Sequence, residues 1–228
     1  MSVLLLATRS RGKVAEFSRL LSPLGVEVRS PDEVGLAEHP EEDALEVAQT
    51  FAENAAAKAA WFAARSGLVT LADDSGLEVD ALHGAPGVHS KRFAGLSGPD
   101  HLVTAANNAA LLAALRDVPE GQRTARYRCA LVLHHPGLPG CSWPYLRPTA
   151  GTSLVVEGTT SGRILESRNG DGGFGYDPLF WSDDLGMSFG RATSEAKGAV
   201  SHRGRAVAAL CAALGVAGAP LGTSSSAG

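Results

Sequence analysis

The chain has 228 residues, 44% of them hydrophobic and 19% charged, with a formal net charge of −4. That length is ample for one large domain or two small lobes with a proper core. The acidic balance excludes a general nucleic-acid binder, which needs a basic face, although a phosphate pocket can be locally basic inside an acidic protein.

Residues 3–7 are a continuous apolar run that suits a buried strand. The run leads straight into a polar loop, residues 8–12, and is too short for a signal-peptide core with its cleavage site. No run reaches the roughly 18 apolar residues of a membrane span, so a soluble, cytoplasmic protein is expected. A helix follows the loop, with Val14, Phe17, Leu20, Leu21 and Leu24 at helical spacing. Thr50 and Glu53 form a capping-box pattern ahead of an alanine-rich second helix that Gly67 stops. Residues 68–72 read as another apolar strand, running into Asp73-Asp74-Ser75-Gly76, and residues 77–82 alternate like a half-exposed strand.

Ser97 is placed to cap a third helix with Pro99 in its first turn and residues 102–115 supplying its apolar face. Residues 126–134 predict a long strand, and the proline-rich stretch 136–148 a loop or insertion. Two further strands are expected at 153–157 and 162–166, and a last helix from Ser201 or Arg203 to Leu214. Residues 1–215 then form a single catalytic domain of two lobes, and 216–228, small and polar, a disordered tail. Three cysteines without a C-x-x-C pair support neither a disulfide framework nor a zinc knuckle; Cys129 and Cys211 read as buried hydrophobes. Mixed strands and helices place the chain in the α/β class, with several strands delivering polar loops to a shared cleft.

Only four lysines occur, against sixteen arginines, and each lies in a compact polar block: Lys13, Lys58, Lys91 and Lys197. A compact ammonium suits a phosphate oxygen better than the planar guanidinium fork, which tilts the reading toward a polyphosphate site. The acidic corner Asp73-Asp74-Ser75-Gly76 offers oxygen ligands for Mg²⁺, with one carboxylate facing the cleft and the other supporting the turn. An Asp-Ser-Gly turn is the commoner meaning of such a tetrapeptide. Gly170-Asp171-Gly172-Gly173-Phe174-Gly175 formally fits G-x-G-x-x-G, but Tyr176-Asp177-Pro178 after it does not open a helix, so a dinucleotide site is rejected. Phe174 and Tyr176 beside Asp177 instead offer aromatic faces for stacking on a base and a group for its edge. Arg11-Gly12-Lys13, between strand and helix, can bind phosphate through backbone N–H groups and the helix dipole. Ser201-His202-Arg203 concentrates donors at the positive end of the last helix, which calls for an anion or acceptor nearby.

Taken in series, these blocks resemble the inosine/xanthosine triphosphate pyrophosphatase family. The family's A-T-x-N-x-x-K-x-x-E corresponds to Ala7 through Glu16, and its T-F-x-E-N-A-x-x-K-A to Thr50 through Ala59. D-D-S-G-L-x-V-D-A-L-x-G-A-P-G corresponds to Asp73 through Gly87, G-F-G-Y-D-P-x-F to Gly173 through Phe180, and K-x-x-x-S-H-R-G-x-A to Lys197 through Ala206. Two departures stand out: Ser10 replaces the family's Asn, and Arg191 an acidic residue.

The resemblance implies an elongated two-lobed mixed-sheet fold with the active-site cleft between the lobes, usually a homodimer. It implies hydrolysis of ITP, dITP or XTP to the nucleoside monophosphate and pyrophosphate with Mg²⁺. Asp74 would be the catalytic carboxylate, and Glu46 with Asp74 would bind the metal. Thr8, Arg9, Ser10, Arg11, Gly12, Lys13 and Lys58, joined by Ser75 and Lys91, would hold the triphosphate. Phe174 would stack on the base, with Gly175 and Tyr176 beside it, and Asp177, Lys197, His202 and Arg203 would line its edge and sugar. The other readings are a pyrophosphatase of broader substrate range and a nucleotide-binding module without turnover, which would need neither Glu46 nor Asp74.

Overall fold

The computed structural model describes residues 2–138, 141, 143–145 and 152–216. The expected tail beyond residue 216, and residues 139, 140, 142 and 146–148 of the proline-rich stretch, lie outside the described residues. In chain order the elements are β1 (Val3–Leu6), α1 (Arg11–Leu20), β2 (Glu27–Arg29), α2 (Phe51–Ser66), β3 (Thr70–Val79), α3 (Asp100–Ala114) and β4 (Thr124–His134). There follow β5 (Ser153–Ile164), β6 (Phe180–Ser182), β7 (Met187–Ser188), α4 (Ser194–Val200) and α5 (His202–Ala213). The strands form a seven-stranded sheet in the order β2-β1-β3-β4-β5-β6-β7. β1 runs parallel to β2 and β3, while β6 is antiparallel to β5 and β7, so the protein is a mixed α/β fold. Among the described residues no helix is long and apolar enough to cross a membrane.

The chain divides into two units. The first takes residues up to Asp74, Cys129–Gly158 and those from Arg205 on; the second takes Ser75–Arg128 and Thr159–Gly204. In the first unit, Leu4, Leu6, Phe17, Leu71, Leu131, Leu133 and Leu210 share a buried cluster with Cys129 and Cys211, both buried as the sequence predicts. A second cluster of that unit joins Leu5, Ala7, Ala55, Ala59, Phe62 and Ala72. Its alanines have no side chain beyond Cβ, which lets α2 lie close to the strands. In the second unit Leu77, Leu111, Leu115, Tyr127, Ile164, Leu179, Phe180 and Phe189 make the core.

Several expectations need correction. Asp73-Asp74-Ser75-Gly76 is not a corner: it lies inside β3, which runs unbroken from Thr70 to Val79. The extended backbone of β3 runs through all four residues in place of the local side-chain-to-backbone bonds of an Asp-Ser-Gly turn. Residues 80–82 form a 3-10 turn rather than the end of a strand. The two short strands expected after residue 152 are one, β5, which crosses Gly158 and Gly162. Gly162 is there for close approach: a Cβ would come within 2.0 Å of the Trp181 carbonyl oxygen on β6. α3 starts at Asp100 with Pro99 at its cap and no side-chain capping bond, not at Ser97. At α2, Thr50 Oγ1 accepts the Glu53 N–H at 3.2 Å, but the Glu53 carboxylate meets the Thr50 hydroxyl at 2.7 Å instead of the Thr50 backbone, so half of the box forms. β2, β6, β7 and α4 have no counterpart in the sequence reading.

Candidate active site

The first unit gathers an acidic group against α1 and α2. The apolar run of β1 ends in the loop 7–10, where Ser10 caps α1 by accepting the Lys13 N–H. Serine at the departure from the family pattern thus acts as an N-cap. The Lys13 ammonium returns to β3 and sits 3.0 Å from each carboxylate oxygen of Asp73, which is 1% exposed. One turn apart on α2, Asn54 and Lys58 face the same strand. Lys58 Nζ donates to Glu46 at 2.5 Å and to the Asp73 carbonyl at 2.5 Å. Asn54 Nδ2 donates to Asp74 Oδ2 at 2.9 Å.

Electrostatics follow from this packing. Burial alone would lower the Lys58 pKa, but Glu46, Asp73 and Asp74 together hold it above the ordinary lysine value, so the buried ammonium keeps its charge. Burial pushes against ionisation of Glu46, yet Lys58 and Lys13 hold its carboxyl below the usual range. Asp74 goes the other way: burial raises its pKa, and the nearby Glu46 charge adds to that against Lys58, the Asn54 amide and Lys13.

Not every predicted phosphate contact is presented for that purpose. The Arg9 guanidinium turns to Glu42, at 2.7 and 2.8 Å, to Asp32 and to the Leu36 carbonyl, so it anchors the loop instead of facing outward. Thr8 Oγ1 accepts the Ser10 N–H at 3.2 Å. Arg11 and Gly12 are exposed in the first turn of α1.

The second unit carries the aromatic and basic residues. Residues 165–179 are loop and turn, without the helix a dinucleotide motif would need. Asp177 Oδ2 accepts the Phe174 N–H at 2.8 Å and the Lys197 ammonium, from α4, at 2.5 Å. Lys197 Nζ lies 4.8 Å from the Phe174 ring centre, and Arg203 Cζ lies 5.1 Å from it. Phe174 is 43% exposed, an accessible ring flanked by two cations. Tyr176 is not a second open ring: it is buried in the core and its hydroxyl donates to the Ser90 carbonyl at 2.8 Å. The Gly175 carbonyl accepts from Asn108 at 3.1 Å. The buried His202 ring stacks on Tyr127 at 4.7 Å and 11°, and Arg203 donates to Ser75 Oγ at 2.8 Å. Lys91 is exposed on a 3-10 turn, Gly87–Arg92, where its carbonyl accepts from Asn107. Arg191 is exposed as well.

The sequence of the whole chain decides the lineage. A profile of the Ham1 family matches residues 4–213.

The chain belongs to the Ham1 family.

This Ham1 chain is 46% identical over 215 residues to the dITP/XTP pyrophosphatase of Nocardia farcinica, covering 94% of its own length and 95% of the relative's. Among solved structures it is similar to a HAM1 protein from Coxiella burnetii, with a TM-score of 0.76 and 32% identity over 95% of this chain and all of that one. It also resembles a nucleoside-triphosphatase, dITP/XTP pyrophosphatase, from Mycobacterium abscessus, with a TM-score of 0.66 and 41% identity over 91% of this chain and 98% of that one.

Mg²⁺ takes oxygen ligands, keeps several waters and commonly rests on one or two carboxylates. No group of three or more His, Cys, Asp or Glu gathers for a metal among the described residues. Glu46 and Asp74 are the two carboxylates whose chemistry would suit a magnesium ion: Lys58 reaches Glu46 at 2.5 Å, and Asn54 on the same helix face reaches Asp74 at 2.9 Å. The sequence reading missed Asn54, which stood in the quoted motif without a role, and the buried Asn107 and Asn108, which hold loop backbone. Asparagine is commonplace at turns and caps, so the residue type alone gives no signal.

Proposed function

We propose that this Ham1 chain hydrolyses nucleoside triphosphates of non-standard purines, ITP, dITP and XTP, to the nucleoside monophosphate and pyrophosphate. The observation that carries the reading is Asp74: a buried carboxylate held by the Asn54 amide at 2.9 Å, on the strand where Lys58 joins Glu46 to the Asp73 carbonyl. A module that only binds nucleotides has no use for a base in that setting. The names of the 40–46% identical relatives support the substrate class.

In the reaction, the oxygen of a water bonds to the α-phosphorus. The bond from that phosphorus to the bridging oxygen breaks, and pyrophosphate leaves with the electron pair. Asp74 orients the water and accepts its proton, help of about 10²–10⁴-fold for a positioned general base. Lys58 and Lys13 supply fixed positive charge for the phosphate oxygens, and the α1 N-terminus adds backbone donors. Mg²⁺ held by Glu46 and Asp74 would polarise the phosphate and neutralise its charge.

Phe174 is the ring on which a base stacks. Arg203 and Lys197 lie beside it as donors, and such donors favour the 6-keto group of hypoxanthine and xanthine. Against the 6-amino group of adenine a buried donor goes unpaired, which costs on the order of 1–3 kcal/mol. The test is Asp74→Asn: turnover should fall by at least two orders of magnitude in a folded protein. Near-normal turnover by that variant removes Asp74 from the chemistry.

A further inference from the structure

Asn54 is fully buried on α2 and engages two separate pieces of the acidic group. Its Nδ2 donates to Asp74 Oδ2 at 2.9 Å and lies 3.4 Å from the Ala48 carbonyl. Its Oδ1 accepts the Ala48 N–H at 2.8 Å. The orientation of this amide is fixed by chemistry, because an ionised carboxylate only accepts and a backbone N–H only donates. Ala48 lies two residues after Glu46, in the irregular segment between the 3-10 turn Pro40–Leu45 and α2. One side chain therefore ties the strand residue Asp74 to the segment that brings in Glu46.

We infer that Asn54 is a positioning residue that sets Asp74 and Glu46 in register with one another for metal binding and water activation. The inference rests on the roles proposed above for those two carboxylates.

Three features of the surroundings favour a primary amide at this position. An aspartate would place a like charge against Asp74. A serine is too short to span from α2 to both partners. A lysine or arginine would add a full positive charge next to Asp74 and make its carboxylate a poorer proton acceptor. The neutral amide orients the carboxylate and leaves its charge for the cation and the water. Lys58, one turn further along the same helix face, supplies the positive charge separately, to Glu46 and the Asp73 carbonyl. Ala55 and Ala59, both fully buried, let α2 approach closely enough for these short reaches.

The test compares wild type, Asn54→Leu and Asp74→Asn by nucleotide kinetics, by Mn²⁺ binding followed by electron paramagnetic resonance without nucleotide, and by thermal unfolding. Leucine keeps the four branched heavy atoms, is bulkier than the planar amide, and removes both contacts. Residues behind metal ligands typically carry about 10–100-fold of metal affinity or activity, so kcat and Mn²⁺ affinity should each fall by that much in Asn54→Leu. Because Asn54 is fully buried, KM should stay within about threefold of wild type. If the leucine variant does not fold, Asn54→Ala is read in the same way. A folded variant with wild-type kcat and Mn²⁺ affinity, or one whose loss falls on KM alone, overturns the inference. If instead Asp74→Asn turns over normally, the underlying assignment of Asp74 fails, whatever the Asn54 variants do.

Discussion

Asp177 Oδ2 occupies the space into which any side chain at Gly173 would project: a Cβ there would come within 2.1 Å of it. Gly173 also has φ of +73°, a conformation that side chains resist. The same oxygen holds the Phe174 N–H and the Lys197 ammonium, so the glycine, the carboxylate and the lysine together set the Phe174 ring.

Gly173→Ala should therefore damage both the loop and stability. Positive φ at a non-glycine residue costs about 1–2 kcal/mol, or roughly 2–8 °C in Tm for a chain of this size, before the clash with Asp177 is added. Thermal unfolding and the KM for ITP check it: both should worsen, and an unchanged KM would separate the loop from base binding.

Phe174→Ala isolates the ring. Stacking of a base on an aromatic side chain is worth about 1–3 kcal/mol, roughly 5–150-fold, and should appear in KM more than in kcat. The ring is 43% exposed, so the unfolding temperature should change little.

The Arg9–Glu42 pair gives stability a defined pH dependence. Hydrogen bonding from Arg9 is the main cause that holds the Glu42 carboxyl below its ordinary value, against burial and with help from the His39 backbone N–H. A carboxyl depressed in the folded state stabilises the fold above its unfolded value, near 4.5, and loses that contribution as pH falls through the lower folded value. Denaturant titrations of wild type and Glu42→Gln should differ at pH 7 and converge toward pH 3.

Asp74 has the opposite sign. Its pKa is raised in the folded state, chiefly by burial, so ionising it opposes folding as pH climbs from its ordinary value, 3.8, through the raised one. In metal-free buffer, Asp74→Asn should be at least as stable as wild type at pH 7. The comparison should shift toward wild type on acidification through that window, as measured by thermal unfolding at several pH values.

Much of this arrangement was legible in the sequence where local chemistry and tertiary context agree. The apolar run of β1, the polar loop after it and the spacing of Phe17 and Leu21 placed α1 and its N-terminus. Thr50, Glu53 and Gly67 bounded α2, and Gly67 does adopt the left-handed conformation, with φ of 70°. Legibility ended where the sheet overrode turn chemistry. Asp73, Ser75 and Gly76 carry the residue types of a turn but are held in β3, and Gly162 of β5 marks close approach rather than a break. Nor does the sequence separate Phe174, an exposed ring, from Tyr176, a buried one two residues away. That difference comes from the Ser90 carbonyl, 86 residues earlier, which accepts the Tyr176 hydroxyl. Asn54 is the clearest case: its role depends on Asp74, 20 residues further on, and becomes visible only once α2 and β3 are packed.

The central claim is tested most directly by pyrophosphate release from ITP, dITP, XTP, GTP and ATP, each with Mg²⁺ and with EDTA. The account predicts magnesium-dependent turnover that is high for ITP, dITP and XTP and lower for ATP by about one to two orders of magnitude, the effect of one unpaired buried donor. Equal turnover of ATP and ITP would contradict the role given to the donors around Phe174, and undiminished turnover in EDTA would contradict the metal chemistry assigned to Glu46 and Asp74.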